Sequence, residues 1–291
     1  MKLHTGIILE LLRVKQWAKN LLIFGAIIFA GRLLDPLSLA KVIIGFFLFS
    51  FAASALYIFN DIRDYKEDRI HPAKKSRPIA SGAVTINFAA GTGVLLLFIA
   101  LSGSFLIDRE FFFVVLAYAL LSFVYSLKLK HVVILDIFIV SAGFVLRAIS
   151  GAYIINVEIS EWLLICTSLL ALFVIMGKRR YEIETLAEAS KHRKILDEYS
   201  VSLLDQMISV VTAATVIAYS FYTFLSKTAG QHGLLMLTIP FVLYGIFRYL
   251  YLIHKKNLGG SPETIFLRDL PTIINILLWT TSSVFIVYFI K

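Results

Sequence analysis

Cysteine is nearly absent from this 291-residue chain, where Cys166 stands alone. A single thiol excludes an internal disulfide framework and leaves a zinc site short of ligands. Inside an apolar run, Cys166 reads as a small buried hydrophobe. Charge is scarce as well. Asp, Glu, Lys and Arg make up 16% of the residues, against about 25% in soluble domains. Acid is the scarcer sign, with 19 acidic residues against 28 Lys and Arg. No low-complexity tract occurs, nor a polar stretch long enough for a soluble domain. These shortages exclude a soluble globular enzyme, a secreted disulfide-stapled domain and a disordered chain. The first residues are not expected to form a cleaved signal peptide, because Glu10 and Arg13 interrupt their apolar run and no small-residue cleavage site follows.

What remains is apolar residue in quantity, 59% of the chain, and it is arranged in long runs. About 20 apolar residues carry a helix across the hydrocarbon core. Nine segments qualify: 17–33, 38–59, 85–107, 111–127, 132–154, 161–176, 205–226, 233–253 and 271–290. Two are short or broken by glycine, so eight crossings also fit. The expected fold is all-α, a single polytopic membrane bundle over 1–291. Residues 1–16 read as an amphipathic helix on the membrane surface, with its apolar positions on one face and a basic flank.

The net charge of +9 is distributed unevenly. Alternating crossings place 21 basic residues on one side and five on the other, with Arg147 and Arg248 inside spans. The richer side is expected in the cytoplasm, with the N-terminus there and the C-terminus outside. The longer loops all fall on that side, 60–84, 177–204 and 254–270, and the short connection 125–131 is expected to join them in the site. Loops of that length in a compact protein usually carry function. The basic excess is assigned to topology and phosphate binding, with the bilayer as partner and no nucleic acid. Oligomeric state is left open, a homo-oligomer included. His71 and His192 lie in these loops without metal-ligand spacing and read as solvated.

The strongest local pattern follows the second span, in Asn60-Asp61-Ile62-Arg63-Asp64-Tyr65-Lys66-Glu67-Asp68. On a continued helix, Asp61, Asp64 and Asp68 fall at i, i+3 and i+7 and share one face. Like charges 6 Å apart repel by about 0.7 kcal/mol even in water. Such a stripe beside lipid calls for a counter-cation, and hard oxygen ligands suit Mg²⁺ completed by substrate phosphates. Ordinary salt bridges to Arg63, Lys66 and Arg69 are the plainer alternative.

The N-D-x-x-D-x-x-x-D string, with Ser76-Arg77-Pro78-Ile79-Ala80-Ser81-Gly82 after it, resembles the UbiA superfamily of intramembrane prenyltransferases. The resemblance covers nearly the whole chain. It implies that Asp61, Asp64 and Asp68 hold a diphosphate through Mg²⁺, with Asn60 beside them. Members commonly carry a second acidic motif after the sixth span. Here Gly177-Lys178-Arg179-Arg180-Tyr181-Glu182 stands in its place. Lys and Arg bind phosphate oxygens directly, although positive-inside topology accounts for them equally well.

This departure matches a subfamily. Arg13-Val14-Lys15-Gln16-Trp17-Ala18-Lys19-Asn20 resembles the R-P-x-Q-W-x-K-N opening of decaprenyl-phosphate phosphoribosyltransferases, with Val14 in place of Pro. Tyr125-Ser126-Leu127-Lys128-Leu129-Lys130, Asp136 with Arg147, Gly260-Ser261-Pro262-Glu263 and Arg268-Asp269 resemble them too. The resemblance implies Mg²⁺-dependent transfer of 5-phosphoribose from phosphoribosyl diphosphate (PRPP) to a polyprenyl phosphate. Lys15, Lys19, Arg77, Tyr125, Lys130, Asp136, Lys178 and Arg179 are then the expected substrate-binding residues. Asp136 and Arg147 are ionisable groups inside an apolar run, which usually face a bundle interior or cavity. Eleven residues separate them by ~16 Å along a helix, too far to pair directly. Asp136 is expected to support the site and Arg147 the structure. Two alternatives remain: a prenyl diphosphate:aromatic acceptor transferase, which normally needs the second acidic motif, and a transporter or flippase.

Overall fold

The computed structural model describes every residue except 1–4, 71–73, 186–193, 227, 229, 231, 232, 261 and 291. His71, His192 and Ser261 therefore lie outside the described residues, and so do Lys2, Lys191, Arg193, Lys227 and Lys291 among the counted bases. Twelve α-helices are described: α1 (Thr5–Leu11), α2 (Phe24–Phe29), α3 (Pro36–Arg63), α4 (Tyr65–Ile70), α5 (Ile86–Ile107), α6 (Arg109–Leu127), α7 (Leu135–Ile154), α8 (Glu161–Thr185), α9 (Val201–Leu225), α10 (Ile239–Lys255), α11 (Pro262–Arg268) and α12 (Leu270–Phe289). Eight helical segments among the described residues are long and apolar enough to cross a membrane. They match eight of the nine expected spans.

The first expected span differs. Residues Val14–Ile23 form a 3₁₀ helix that leads into the short α2. Ten residues rising 2.0 Å and six rising 1.5 Å cover about 29 Å, close to the ~30 Å hydrocarbon thickness. The segment therefore has the reach of a crossing without being one α-helix. It runs antiparallel to α3. Trp17 Nε1 donates to Ser54 Oγ at 3.0 Å, and Asn20 Nδ2 to Ser50 Oγ at 2.9 Å. Gly151 on α7 admits it from the other side, since a Cβ there would stand 2.0 Å from the Ile23 carbonyl oxygen. The interfacial helix is correspondingly shorter than the expected 1–16, because α1 ends at Leu11 and Arg13 adopts a left-handed φ of 51°.

Sequence chemistry sets many of the helix starts. Asp35 before Pro36, Thr85, Asp108, Ser200 and Asp269 each accept backbone N–H groups of the following first turn. Helices α3 and α7 are the most buried of the long helices, and α5 is the least, with Val94, Leu95, Phe98, Phe105 and Leu106 turned outward. One apolar core joins Ile23, Ile27, Phe49, Phe111, Val115 and Ile154. A second joins Ile137, Phe173, Met176, Leu204, Tyr249 and Ile253. The polar residues of α3 and α7 thus stand at the centre of the bundle.

The loops expected to carry chemistry gather at one end, but they are more helical than expected. Helix α3 runs through Arg63 and α4 follows at Tyr65. Helix α8 continues to Thr185, so Lys178, Arg179 and Arg180 lie on a helix and not in a loop. Propagating an existing helix adds one hydrogen bond per residue, so it extends beyond the apolar run. The segment before α12 is tied down by Arg248, whose Nε and Nη2 donate to Asp269 at 3.1 and 2.8 Å. Thr272 donates to the same carboxylate through its amide and hydroxyl. These bonds, Arg248's first, hold the Asp269 carboxyl down at about 2. A depressed carboxylate stabilises the fold above its unfolded pKa near 4 and loses that contribution as pH falls toward 2. Asp269→Asn is expected to cost about 1 kcal/mol at pH 7. Melting curves of variant and wild type should converge between pH 4 and pH 2.

Candidate active site

Asp61, near the end of α3, is buried and accepts from two guanidinium groups, those of Arg13 and Arg77. Helix α3 breaks at Asp64, yet the turn stays tight, since Asp64 N donates to Asn60 O and Asp68 N to Asp64 O, both at 2.9 Å. Asp68 is thereby brought back beside Asp61. Arg77 Nη1 reaches Asp61 Oδ1 at 3.0 Å and Asp68 Oδ2 at 2.5 Å. Both buried carboxylates meet at one nitrogen. Asp64 has a separate partner, Lys130, whose Nζ spans its two oxygens at 2.9 Å each. The three aspartates expected to share one ion therefore do not converge as a trio, and no group of three or more metal-type ligands occurs among the described residues. Different bases hold them: Arg77 joins Asp61 to Asp68, and Lys130 takes Asp64.

Arg77 is held in place by its neighbours. Ile79, Ala80 and Val84 bury against Leu11, Ile58 and Ala89. Gly82 supplies a φ of 79° for the turn, and Val84 N closes onto Pro78 O at 2.9 Å. The apolar half of the Ser76–Gly82 motif is an anchor, and its arginine is the payload. Lys74 stands 3.8 Å from Asp68 and within electrostatic reach of Asp64 and Glu182. Burial first, then Arg77, lowers its ammonium from the ordinary lysine value.

The second half of the site rests on α7 and α8. Asp136 is fully buried. Its Oδ2 accepts from Arg179 Nε at 3.2 Å and its Oδ1 from the Tyr199 hydroxyl at 2.7 Å. Arg179 Nη1 also donates to Glu182 Oε2 at 2.6 Å. Tyr125 lies within electrostatic reach of Arg179. Burial, and then the Asp136 carboxylate, push the Tyr199 phenol well above its ordinary value, so it remains a donor. Arg180, next along α8, is bound to Asp205 and Glu184.

Of the residues expected from sequence, Asp61, Asp64, Asp68, Arg77 and Lys130 come together at one mouth, with Asn60 behind them. Asp136, Arg179 and Tyr125 come together beside it, and Lys178 is half-buried on the same turn of α8. Lys15 is exposed, and Lys19 is half-buried in the first crossing, about 12 Å beyond Arg13 along the 3₁₀ axis. Arg13, Lys74, Glu182 and Tyr199 are additions from the structure. Arg13 opens the Arg13–Asn20 motif and Lys74 precedes Arg77 in a basic run, so both carried a signal. Tyr199 carried none.

Arg147 is settled separately. It donates to Asn20 Oδ1 at 2.6 Å, to Gly143 O at 2.6 Å and to the Tyr118 hydroxyl at 2.9 Å. It is a brace deep in the bundle and does not meet Asp136.

A model of the UbiA prenyltransferase family matches residues 21–268. The chain belongs to this family. Two relatives match it along most of both chains, and each is a decaprenyl-phosphate phosphoribosyltransferase. That of Corynebacterium glutamicum is 34% identical, covering 96% of this chain and 86% of its own length. That of Mycolicibacterium smegmatis is 34% identical, covering 99% and 94%. A UbiA homologue from Archaeoglobus fulgidus, solved with DMAPP and Mg²⁺, has a TM-score of 0.75 at 20% identity, over 96% of this chain and 98% of that one. That likeness establishes a shared fold. As a UbiA enzyme, the chain is an integral membrane transferase, and its Asp61–Arg77–Asp68 cluster lies at the end of its most buried helix.

Proposed function

We propose that this UbiA enzyme transfers 5-phosphoribose from PRPP to a polyprenyl phosphate such as decaprenyl phosphate, with Mg²⁺, at the cytoplasmic membrane face. The observation that carries the reading is the composition of the mouth. Asp61, Asp64 and Asp68 are met by Arg13, Arg77, Lys130 and Lys74, so bases outnumber acids before any substrate arrives. A site for a metal alone needs no such excess. A site for several phosphate groups does, since Arg and Lys take phosphate oxygens directly. PRPP brings a diphosphate and a 5-phosphate, and the lipid brings a third anion. The names of the relatives at 34% identity support the same substrates.

The donor set fits Mg²⁺. Asp61 and Asp68 present hard oxygens at one point, and Mg²⁺ usually binds through one or two carboxylates with substrate phosphates completing its shell. Bound there, Mg²⁺ would neutralise charge on the diphosphate. Arg13, Arg77 and Lys74, which meet these carboxylates, would be the bases nearest its phosphate oxygens. Lys130, beside Asp64, is a further phosphate-binding base. The bond from ribose C1 to the diphosphate oxygen breaks, a bond from C1 to a lipid phosphate oxygen forms, and diphosphate leaves. A phosphate monoester is already ionised at neutral pH, so no strong base is required. Positioning and electrostatic preorganisation supply the rate.

The orientation follows the 21-to-5 distribution of bases, with the N-terminus in the cytoplasm and the C-terminus outside. The test supplies purified protein and Mg²⁺ with PRPP plus polyprenyl phosphate, or with prenyl diphosphate plus an aromatic acceptor. Mass spectrometry is expected to find phosphoribosylated lipid in the first mixture only. Turnover only in the second would overturn the reading.

A further inference from the structure

The connection from α6 to α7 carries a strained turn. Ile134 has φ 67° and ψ −47°, and Leu135 N donates to Val133 O at 2.7 Å. This is a three-residue γ-turn with a positive central φ, rare and strained in any chain and an outlier for a β-branched residue. Burial does not hold Ile134 there, because its side chain is 46% exposed. One side-chain contact does reach it. The Ile134 amide donates to the Tyr199 hydroxyl oxygen at 2.6 Å, and the same hydroxyl donates to Asp136 at 2.7 Å. Tyr199 is placed from a distance. Its ring and its neighbour Ile195 are buried in the second core, and Leu196 is buried beside them in sequence.

Two site groups hang from this turn. Lys130, four residues before Ile134, spans Asp64. Asp136, two residues after it, holds Arg179. We propose that Tyr199 is a positioning residue of the transferase, a hydroxyl latch that keeps the strained turn closed and thereby sets Lys130 and Arg179. Its role in turnover rests on the reading given above. Strain of this kind persists where the surroundings over-determine it, and such places cluster at functional sites. Without the hydroxyl, Ile134 relaxes to negative φ, and Lys130 leaves Asp64.

Tyr199→Phe removes the hydroxyl and keeps the buried ring. Hydrogen–deuterium exchange over residues 128–136 of the full-length protein is expected to quicken in Y199F. This measurement needs no substrate, so it tests the latch whatever the enzyme transfers. The kcat for PRPP is expected to fall roughly 10–100-fold, the scale of a small misplacement. Two second variants separate positioning from general weakening. In a Lys130→Ala background Y199F should cost less than in wild type, the remaining loss being the share carried through Asp136 and Arg179. Adding Ile134→Gly to Y199F should restore part of the rate, because glycine adopts φ 67° without steric strain. Unchanged exchange in Y199F would overturn the proposal, and so would fully multiplicative losses in Y199F/K130A or a glycine variant without rescue.

Discussion

Asp61→Asn and Asp68→Asn are each expected to reduce PRPP consumption by roughly 10²–10³-fold, the scale seen when one preorganised electrostatic partner is lost. Asparagine keeps the shape and one acceptor oxygen, so Arg77 retains a hydrogen bond, but the charge that draws Mg²⁺ is gone. Both carboxylates are buried and share Arg77 Nη1, so neither replaces the other. Asp64→Asn should cost less. Asp64 is the more exposed of the three, with 25% of its side chain accessible, and its partner is Lys130. Single-turnover rates across a Mg²⁺ titration check the ranking. Full activity in both D61N and D68N would sink the metal assignment.

Arg147→Ala is expected to be the most destabilising single change away from the site, at about 3–5 kcal/mol. The side chain is 4% exposed, and among the described residues it bonds an amide oxygen, a backbone carbonyl and a hydroxyl, with no carboxylate. Its three bonds run to the first crossing, to its own helix and to α6. The rings of Tyr118, Phe49 and Phe144 surround its guanidinium at 4.8, 5.4 and 5.4 Å. Cation–π contacts strengthen when desolvated, which offsets part of the cost of burying the charge. Truncation opens a cavity and strips the Tyr118 hydroxyl and Asn20 carbonyl of their donor. Arg147→Lys keeps the charge but not the planar fork that serves three directions, so it should fall between wild type and R147A. Thermal aggregation midpoints in detergent read the order. A midpoint for R147A equal to wild type would refute the brace.

Much of the acid site could be read locally. Asp61, Asp64 and Asp68 are seven residues apart at most, and a helix end constrains so short a stretch. Even there, the sequence pattern assumed a continuous helix and so placed Asp64 on the shared face. Which base meets which carboxylate depends on where Lys130 and Arg77 arrive, and no periodicity records that. Arg179 was legible as a base replacing an acid. Its burial against Asp136 and Glu182 was not, because a basic residue at a helix end looks the same whether it faces solvent, phosphate or a carboxylate.

By itself, the sequence determined that the chain lies in a membrane, where its long crossings run and which end gathers the charge. Those properties follow from how each short segment partitions between water and hydrocarbon, and partitioning is local. Tertiary structure alone decided which charged groups meet. Arg13 finds Asp61 across 48 residues, Tyr199 finds Asp136 across 63 and Arg147 finds Asn20 across 127. An apolar helix face carries no record of its eventual neighbour, since lipid and another apolar helix satisfy it about equally. Close packing chooses between them, as at Gly151 beneath the Ile23 carbonyl, and only then are the polar partners brought within reach.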